Sequence, residues 1–305
     1  MVILVTGSKG MLGSAICDVL SEKHTIIGMG HDDFDVTDAK AWESIKSFET
    51  KPDIIIHCAA FTQVDAAENE PSKILWDTNV NAIHHLCNIC MSLNIKVIYP
   101  QTFLILKDQS QPHSPDSEAI EPLGWYAKSK WEAEKIMNHR LPPDKRFIIR
   151  LGGFYGGGPL TDKNFVGLFL KRILPQAIQN GENEISVGDR IWQPTWTRDI
   201  ANTILWCLEN PYHEIYQYAI QDFASFADLA KAILDILGIK EINICKVSSK
   251  DIPVVAPRPQ QIIMQSSEEL VQANLVHTYY ARLEEYLLKY WTNYSPADYL
   301  TGNKS

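Results

Sequence analysis

The chain has 305 residues, 45% of them hydrophobic and 21% charged, which excludes a disordered polymer and leaves ample material for a buried core. Its net charge is −9 without any block of Lys and Arg, which argues against a nucleic-acid surface. No run is long and apolar enough to span a membrane, and the opening "VILV" is too short for a signal peptide, so the expected location is the cytoplasm.

The first half alternates two periodicities. Val2 to Thr6 reads as an apolar strand, and Leu12, Ile16, Val19 and Leu20 then recur at helical spacing. "HTIIGM" is a second strand, and Trp42 to Phe48 fits a short helix. "PDIIIHCAAF" is a strand buried on both faces, opened by Pro52. Thr78 to Leu93 reads as a helix, Lys96 to Thr102 as a strand, Tyr126 to Met137 as a helix and "RFIIRL" as a strand. Continuously apolar strands separated by helices predict a doubly wound parallel α/β sheet.

After Leu151 the rhythm loosens. "GGFYGGGP" is a glycine-rich loop. Helices are expected around Phe165 to Ala177, Arg198 to Glu209, Phe226 to Leu237 and Tyr279 to Tyr290, with short strands at "EISV", "EIYQYAI" and "INICKV". Pro253, Pro257 and Pro259 mark a loop. The expected division is a dinucleotide-binding Rossmann domain over 1–151 and a smaller, interleaved α/β substrate lobe over 152–305, some of whose segments return to the first domain.

Six cysteines are scattered along the chain, and Cys87 and Cys90 form the one C-x-x-C. They lie on an expected helix beside His84 and His85 without a second ligand cluster. The reading taken is small apolar residues on a buried face, with no metal site.

"LVTGSKGMLGSAI" places Gly7, Gly10 and Gly13 between the first strand and its helix. A turn this sharp, with a ligand close to the backbone, suits residues without a Cβ. The helix N-terminus then offers free N–H groups to a pyrophosphate. The second strand ends at Gly30 and His31 with no acidic residue at that spot, and Lys9 or His31 would attract a ribose 2′-phosphate. The cofactor expected is therefore NADPH, with NADH as the alternative. Asp35 reads either as an acceptor for the adenine amino group or as a turn residue before "VTD".

"GWYAKSKWEAEKI" puts Tyr126 and Lys130 four apart on one helix face. An ammonium beside a phenol is expected to draw its pKa down from about 10 towards neutrality. The tyrosine would then exchange a proton near neutral pH.

Together, "TGSKGMLG", a buried strand ending "CAA", Asn79 in "DTNV", the hydroxyl of Thr102 at a strand end and "YAKSK" resemble the extended short-chain dehydrogenases/reductases. "PDIIIHCAAFTQVDAAENEP", "YAKSKWEAE", "GDRIWQPTWTRDIA" and "APRPQQ" resemble, more narrowly, the dTDP-4-dehydrorhamnose reductase family, over essentially the whole chain. The resemblance implies hydride transfer from NAD(P)H to the 4-keto group of a nucleotide-linked 6-deoxyhexose. Tyr126 would be the acid, Lys130 would tune it and hold the ribose, and Thr102 would hydrogen-bond the reacting oxygen. Cofactor contacts are implied for Gly7, Lys9, Gly10, Met11, Leu12 and Gly13, for Asp35 and Val36, for Ala59 and Ala60, and for Tyr126 and Lys130. Substrate contacts are implied for Val64, Thr102, Phe103, Tyr126 and Gly153. Asn164 and Arg258 read either as sugar-nucleotide contacts or as a helix cap and a surface arginine. A nucleotide-sugar is the expected partner, and a homodimer is left open.

Two stretches depart from the family. Its members usually carry Ser-Thr-Asp-Tyr where this chain has Gln101-Thr102-Phe103-Leu104. They tend to carry Ser-Trp where this chain has Gly152-Gly153. The sugar pocket is thus expected to be drier and wider. A 4,6-dehydratase would need a carboxylic acid beside the threonine, and Phe103 and Leu104 supply none. A nucleotide-sugar 4-epimerase needs only the hydroxyl, tyrosine and lysine. A non-catalytic cofactor-binding subunit, resembling the β subunit of methionine adenosyltransferase, is the reading from a different class.

Overall fold

Ile54, Ile55 and Ile56 are at most 5% exposed, so the strand they form has no solvent face. A computed structural model describes residues 1–69, 73–210 and 215–300 of the chain. Glu70 and Pro71 of "TQVDAAENEP" and Glu214 of "EIYQYAI" lie outside the described residues.

The main sheet has strands β1 (Val2–Thr6), β2 (Thr25–Met29), β3 (Ile54–His57), β4 (Lys96–Thr102), β5 (Arg146–Leu151) and β6 (Ile215–Tyr218). Their order is β6-β5-β4-β3-β1-β2, and every pairing is parallel. All residues of β3 and β5 are buried, because helices cover both faces. β2 at one edge has only exposed and half-buried positions.

One face of the sheet is covered by the helix Met11–Leu20, through Leu12, Ile16, Val19 and Leu20, beside Ile200, Ala201 and Ile204 of the helix Thr197–Glu209. The other face carries Trp42, the helix Ala82–Leu93, and Ala133 and Met137 of the helix Gly124–Arg140. Cys87 and Cys90 are each 1% exposed in this second core, and burial pushes the Cys87 thiol up to about 12. An inert, apolar role follows.

A separate core gathers Tyr155, Phe169, Trp196, the helix Phe226–Leu237 and the helix Tyr279–Tyr290. The former opens on a capping box between Ser225 and Asp228. A parallel pair, Glu184–Gly188 with Asn243–Val247, lies beside it. Residues after Leu151 are therefore shared between two cores, because Thr197–Glu209 and β6 belong to the main sheet. Among the described residues no helix is long and apolar enough to cross a membrane.

Candidate active site

The C-terminal ends of β1, β3, β4 and β5 open into one cleft of about 960 Å³. In doubly wound sheets this is where a ligand crevice forms. The glycine turn shapes one end. Gly7 has φ +66°, and a Cβ there would meet the Ala59 nitrogen at 2.8 Å. A Cβ at Gly13 would lie 2.2 Å from the Gly7 carbonyl oxygen. Gly10 starts the helix without a side-chain cap, which leaves first-turn N–H groups for a ligand. Met11 and Leu12 line the same end, as do Asp35, Val36, Ala59 and Ala60.

Lys9 differs from expectation. Its ammonium lies 3.0 Å from the Asp33 carboxylate and 3.8 Å from Asp32, so it is not a free cation. Those carboxylates follow the Gly30–His31 strand end, where the sequence places no acid, and reach it because the chain turns back after β2, with Asp33 accepting from the Gly30 N–H at 3.1 Å. Asp35 holds a turn, its Oδ1 accepting from Thr37 N at 2.9 Å and Thr37 Oγ1 at 2.8 Å, while it still lines the cleft.

Thr102, Tyr126 and Lys130 come from the end of β4 and the first two turns of Gly124–Arg140, and all line the cleft. The Thr102 hydroxyl lies near enough to the Tyr126 phenol to favour its ionised form. It also caps the short turn Phe103–Ile105, accepting from Leu104 N at 3.3 Å. Lys130 donates to the Pro100 carbonyl at 3.0 Å and lies 3.9 Å from the centre of the Tyr99 ring. Burial lowers the Lys130 ammonium to about 7. Burial also raises Tyr126 to about 12, against the expected fall, with the neighbouring Thr102 hydroxyl offsetting only part of it. Spacing alone suggested that the ammonium would dominate; desolvation of the phenolate is the larger effect. A phenol at about 12 stays protonated at neutral pH, which is the form a proton donor needs.

The helix Gly124–Arg140 is held from two sides. Glu68 Oε1 accepts from Trp125 N at 2.6 Å and so caps the helix that Leu123 leaves uncapped. On the other side, Gln101 Nε2 donates to the Lys130 carbonyl at 3.0 Å and to Glu134 at 2.7 Å. Asn79 sits in a π-helical turn, Asp77–Asn81, which turns its side chain inward. Its amide donates to Phe61 O at 3.1 Å and to Ser129 Oγ at 3.0 Å.

The far end of the cleft carries Val64, Phe103, Gly153, Asn164 and Arg258. Arg258 forms a two-pronged pair with Asp65, at 2.7 and 2.9 Å. Asn164 donates through Nδ2 to the Phe154 carbonyl. It is the N-cap residue of the helical turn Phe165–Leu168, although its side chain makes no cap bond there.

Gly153 does not widen the pocket. A Cβ there would lie 2.3 Å from Cε3 of Trp192, so an indole already occupies that space. Trp192 and Arg190 both line the cleft, and neither stood out in the sequence, although both sit in "GDRIWQPTWTRDIA". Burial lowers the Arg190 guanidinium, and the positive charge of Arg258 lowers it further.

A family model described as the RmlD substrate binding domain matches residues 1–291. The chain belongs to that family. It is 28% identical over 279 residues to a dTDP-4-dehydrorhamnose reductase of Mycolicibacterium smegmatis, covering 90% of this chain and 80% of that one. Among solved structures, a dTDP-4-dehydrorhamnose reductase ortholog of Clostridium acetobutylicum superposes with TM-score 0.83 at 25% identity, covering 94% and 98% of the two chains. A dTDP-4-dehydrorhamnose reductase of Bacillus anthracis, solved in complex with NADP, superposes with TM-score 0.81 at 24% identity, covering 94% and 99%. This family member therefore has the Rossmann-like sheet with the glycine turn at its expected place.

Proposed function

We propose that the chain is an NADPH-dependent reductase of a dTDP-linked 4-keto-6-deoxy sugar. The observation that carries this is the junction of Thr102, Tyr126 and Lys130 with the glycine turn in one cleft. The dinucleotide fits the residues present: Gly7 and Gly13 pack the turn too closely for any Cβ, and Gly10 leaves the first-turn N–H groups uncapped for a pyrophosphate. When bound, NADPH would supply the hydride for the sugar's C4. Tyr126 donates its proton to the carbonyl oxygen as that oxygen becomes an alkoxide, so C=O becomes CH–OH. Thr102 donates a second hydrogen bond to the same oxygen. Lys130 is placed to hold the nicotinamide ribose, and its charge favours the phenolate that Tyr126 leaves behind. Arg190 faces the same cleft and offers positive charge to the diphosphate, while Arg258 lines it with its charge already paired to Asp65.

We further infer that 1–151 acts mainly on the cofactor and 152–305 mainly on the sugar-nucleotide, with Thr197–Glu209 and β6 returned to the first unit. The two separate cores support this division.

The test is incubation with deuterium-labelled NADPH and a dTDP-linked 4-keto-6-deoxy sugar. Deuterium at C4 of the product is expected. Tight NADPH binding without transfer to any such sugar would instead favour a non-catalytic cofactor-binding subunit.

A further inference from the structure

Segments distant in sequence meet at one point on the sugar side of the cleft. A Cβ at Gly153 would lie 2.3 Å from Cε3 and 2.7 Å from Cζ3 of Trp192, and 3.5 Å from Cε1 of Phe103. Phe103 directly follows Thr102, so this point adjoins the reacting groups. Trp192 stacks on Phe226, with ring centres 5.0 Å apart and planes at 18°. Phe226 in turn meets Phe165 edge-on at 4.9 Å. Phe103, Trp192, Phe226 and Phe165 all line the cleft that holds Tyr126 and Lys130. Trp192 is 5% exposed, and its Nε1 has no hydrogen-bond partner, so ring packing holds the indole in place. Positions 153 and 192 thus constrain each other: no side chain fits at 153 while the indole stays.

Resting on the reductase reading, we infer that this aromatic wall selects the sugar, and that it takes a keto-hexose ring deoxygenated at a ring carbon in preference to a fully hydroxylated one. Aromatic faces pack well against C–H surfaces and edges of other groups. They offer no full hydrogen-bond partner to a hydroxyl, and a hydroxyl pressed against them loses water without compensation. At the strand end, Phe103 and Leu104 supply no acid or phenol to take up that role. Trp192 is accordingly a specificity residue, while Thr102 and Tyr126 perform the chemistry on either sugar.

The experiment compares kcat/KM with NADPH for dTDP-4-dehydrorhamnose and its 2-deoxy and 3-deoxy counterparts. The wild type is expected to favour at least one deoxy sugar by tenfold or more, which corresponds to about 1.4 kcal/mol. Trp192→Ala is expected to erase that preference with NADPH affinity, followed by fluorescence titration, retained. Trp192→Phe keeps a ring in the wall and is expected to keep part of the preference, so the test stands even if the alanine variant fails to fold. Equal or greater efficiency on the fully hydroxylated sugar, or a preference that survives Trp192→Ala, would overturn the inference and leave the reductase reading intact. Reduction of none of these sugars by an enzyme that binds NADPH would remove the reductase reading, and this inference with it.

Discussion

Gln101 and Glu134 hold each other inside the protein, the Gln101 amide donating to the carboxylate at 2.7 Å. Glu134 is 1% exposed and also pairs with Arg150 at 3.0 Å, so its charge is neutralised in place. The same Gln101 accepts through Oε1 from Thr102 N at 2.9 Å. One side chain therefore joins the end of β4, where Thr102 sits, to the helix that carries Tyr126 and Lys130. Gln101→Ala should destabilise the fold by about 1–3 kcal/mol, since it strips a partner from a buried carboxylate. It should also lower kcat more than NADPH affinity. Urea unfolding and steady-state kinetics check both; an unchanged kcat would reduce Gln101 to a stability role.

The second tie is the Glu68 cap on Trp125 N. Glu68→Ala removes the acceptor from a helix start that has no side-chain cap of its own. A loss of about 1 kcal/mol is expected. Because Tyr126 is the next residue, kcat should fall as well. Thermal unfolding and kcat measured on the same preparation test this.

Burial, not a partner charge, sets the protonation of the site. The Lys130 ammonium is lowered to about 7 in the folded protein, whereas a lysine in an unfolded chain titrates near 10.4. Between those values the unfolded state binds more protons, so this group makes stability rise with pH, and below about 7 its full penalty applies. Lys130→Met should therefore be more stable than the wild type at about pH 6, with the difference shrinking as pH rises towards about 10. Denaturant titrations across that range read the sign. A difference that stays constant over that range would show that Lys130 keeps its proton in the folded state throughout.

The glycine turn makes a sharper prediction. Gly13→Ala drives a methyl to 2.2 Å from the Gly7 carbonyl oxygen, a backbone atom that has no rotamer to yield. NADPH affinity should fall by about 10-fold or more if the turn must shift by enough to lose even one charge-assisted hydrogen bond. Fluorescence titration of NADPH checks it, and full affinity in the variant would detach the turn from the cofactor.

Local spacing made much of this legible. The glycine triplet, the Tyr126–Lys130 pair and the alternating strands each declare themselves within a few residues. Contacts between distant segments did not. Nothing in "GGFYGG" or "GDRIWQP" says that Trp192 fills the space beside Gly153, because that depends on how two loops converge. Asp65 and Glu68 sit in a stretch read only as a family signature, yet one pairs with Arg258 and the other caps the helix Gly124–Arg140. The helix Thr197–Glu209 was legible as a helix, but not its packing against Met11–Leu20. The phenol of Tyr126 was misread because i,i+4 spacing reports proximity to a charge and not the loss of water around the ring.

In the proposed reaction Tyr126 donates the proton that completes reduction of a keto-sugar. The most direct measurement is NADPH oxidation by the wild type and by Tyr126→Phe on a dTDP-linked 4-keto-6-deoxy sugar that the wild type accepts, with NADPH affinity measured alongside. A fall in kcat by about 10²-fold or more is expected, with NADPH affinity nearly unchanged. A phenylalanine variant that turns over at the wild-type rate would contradict it.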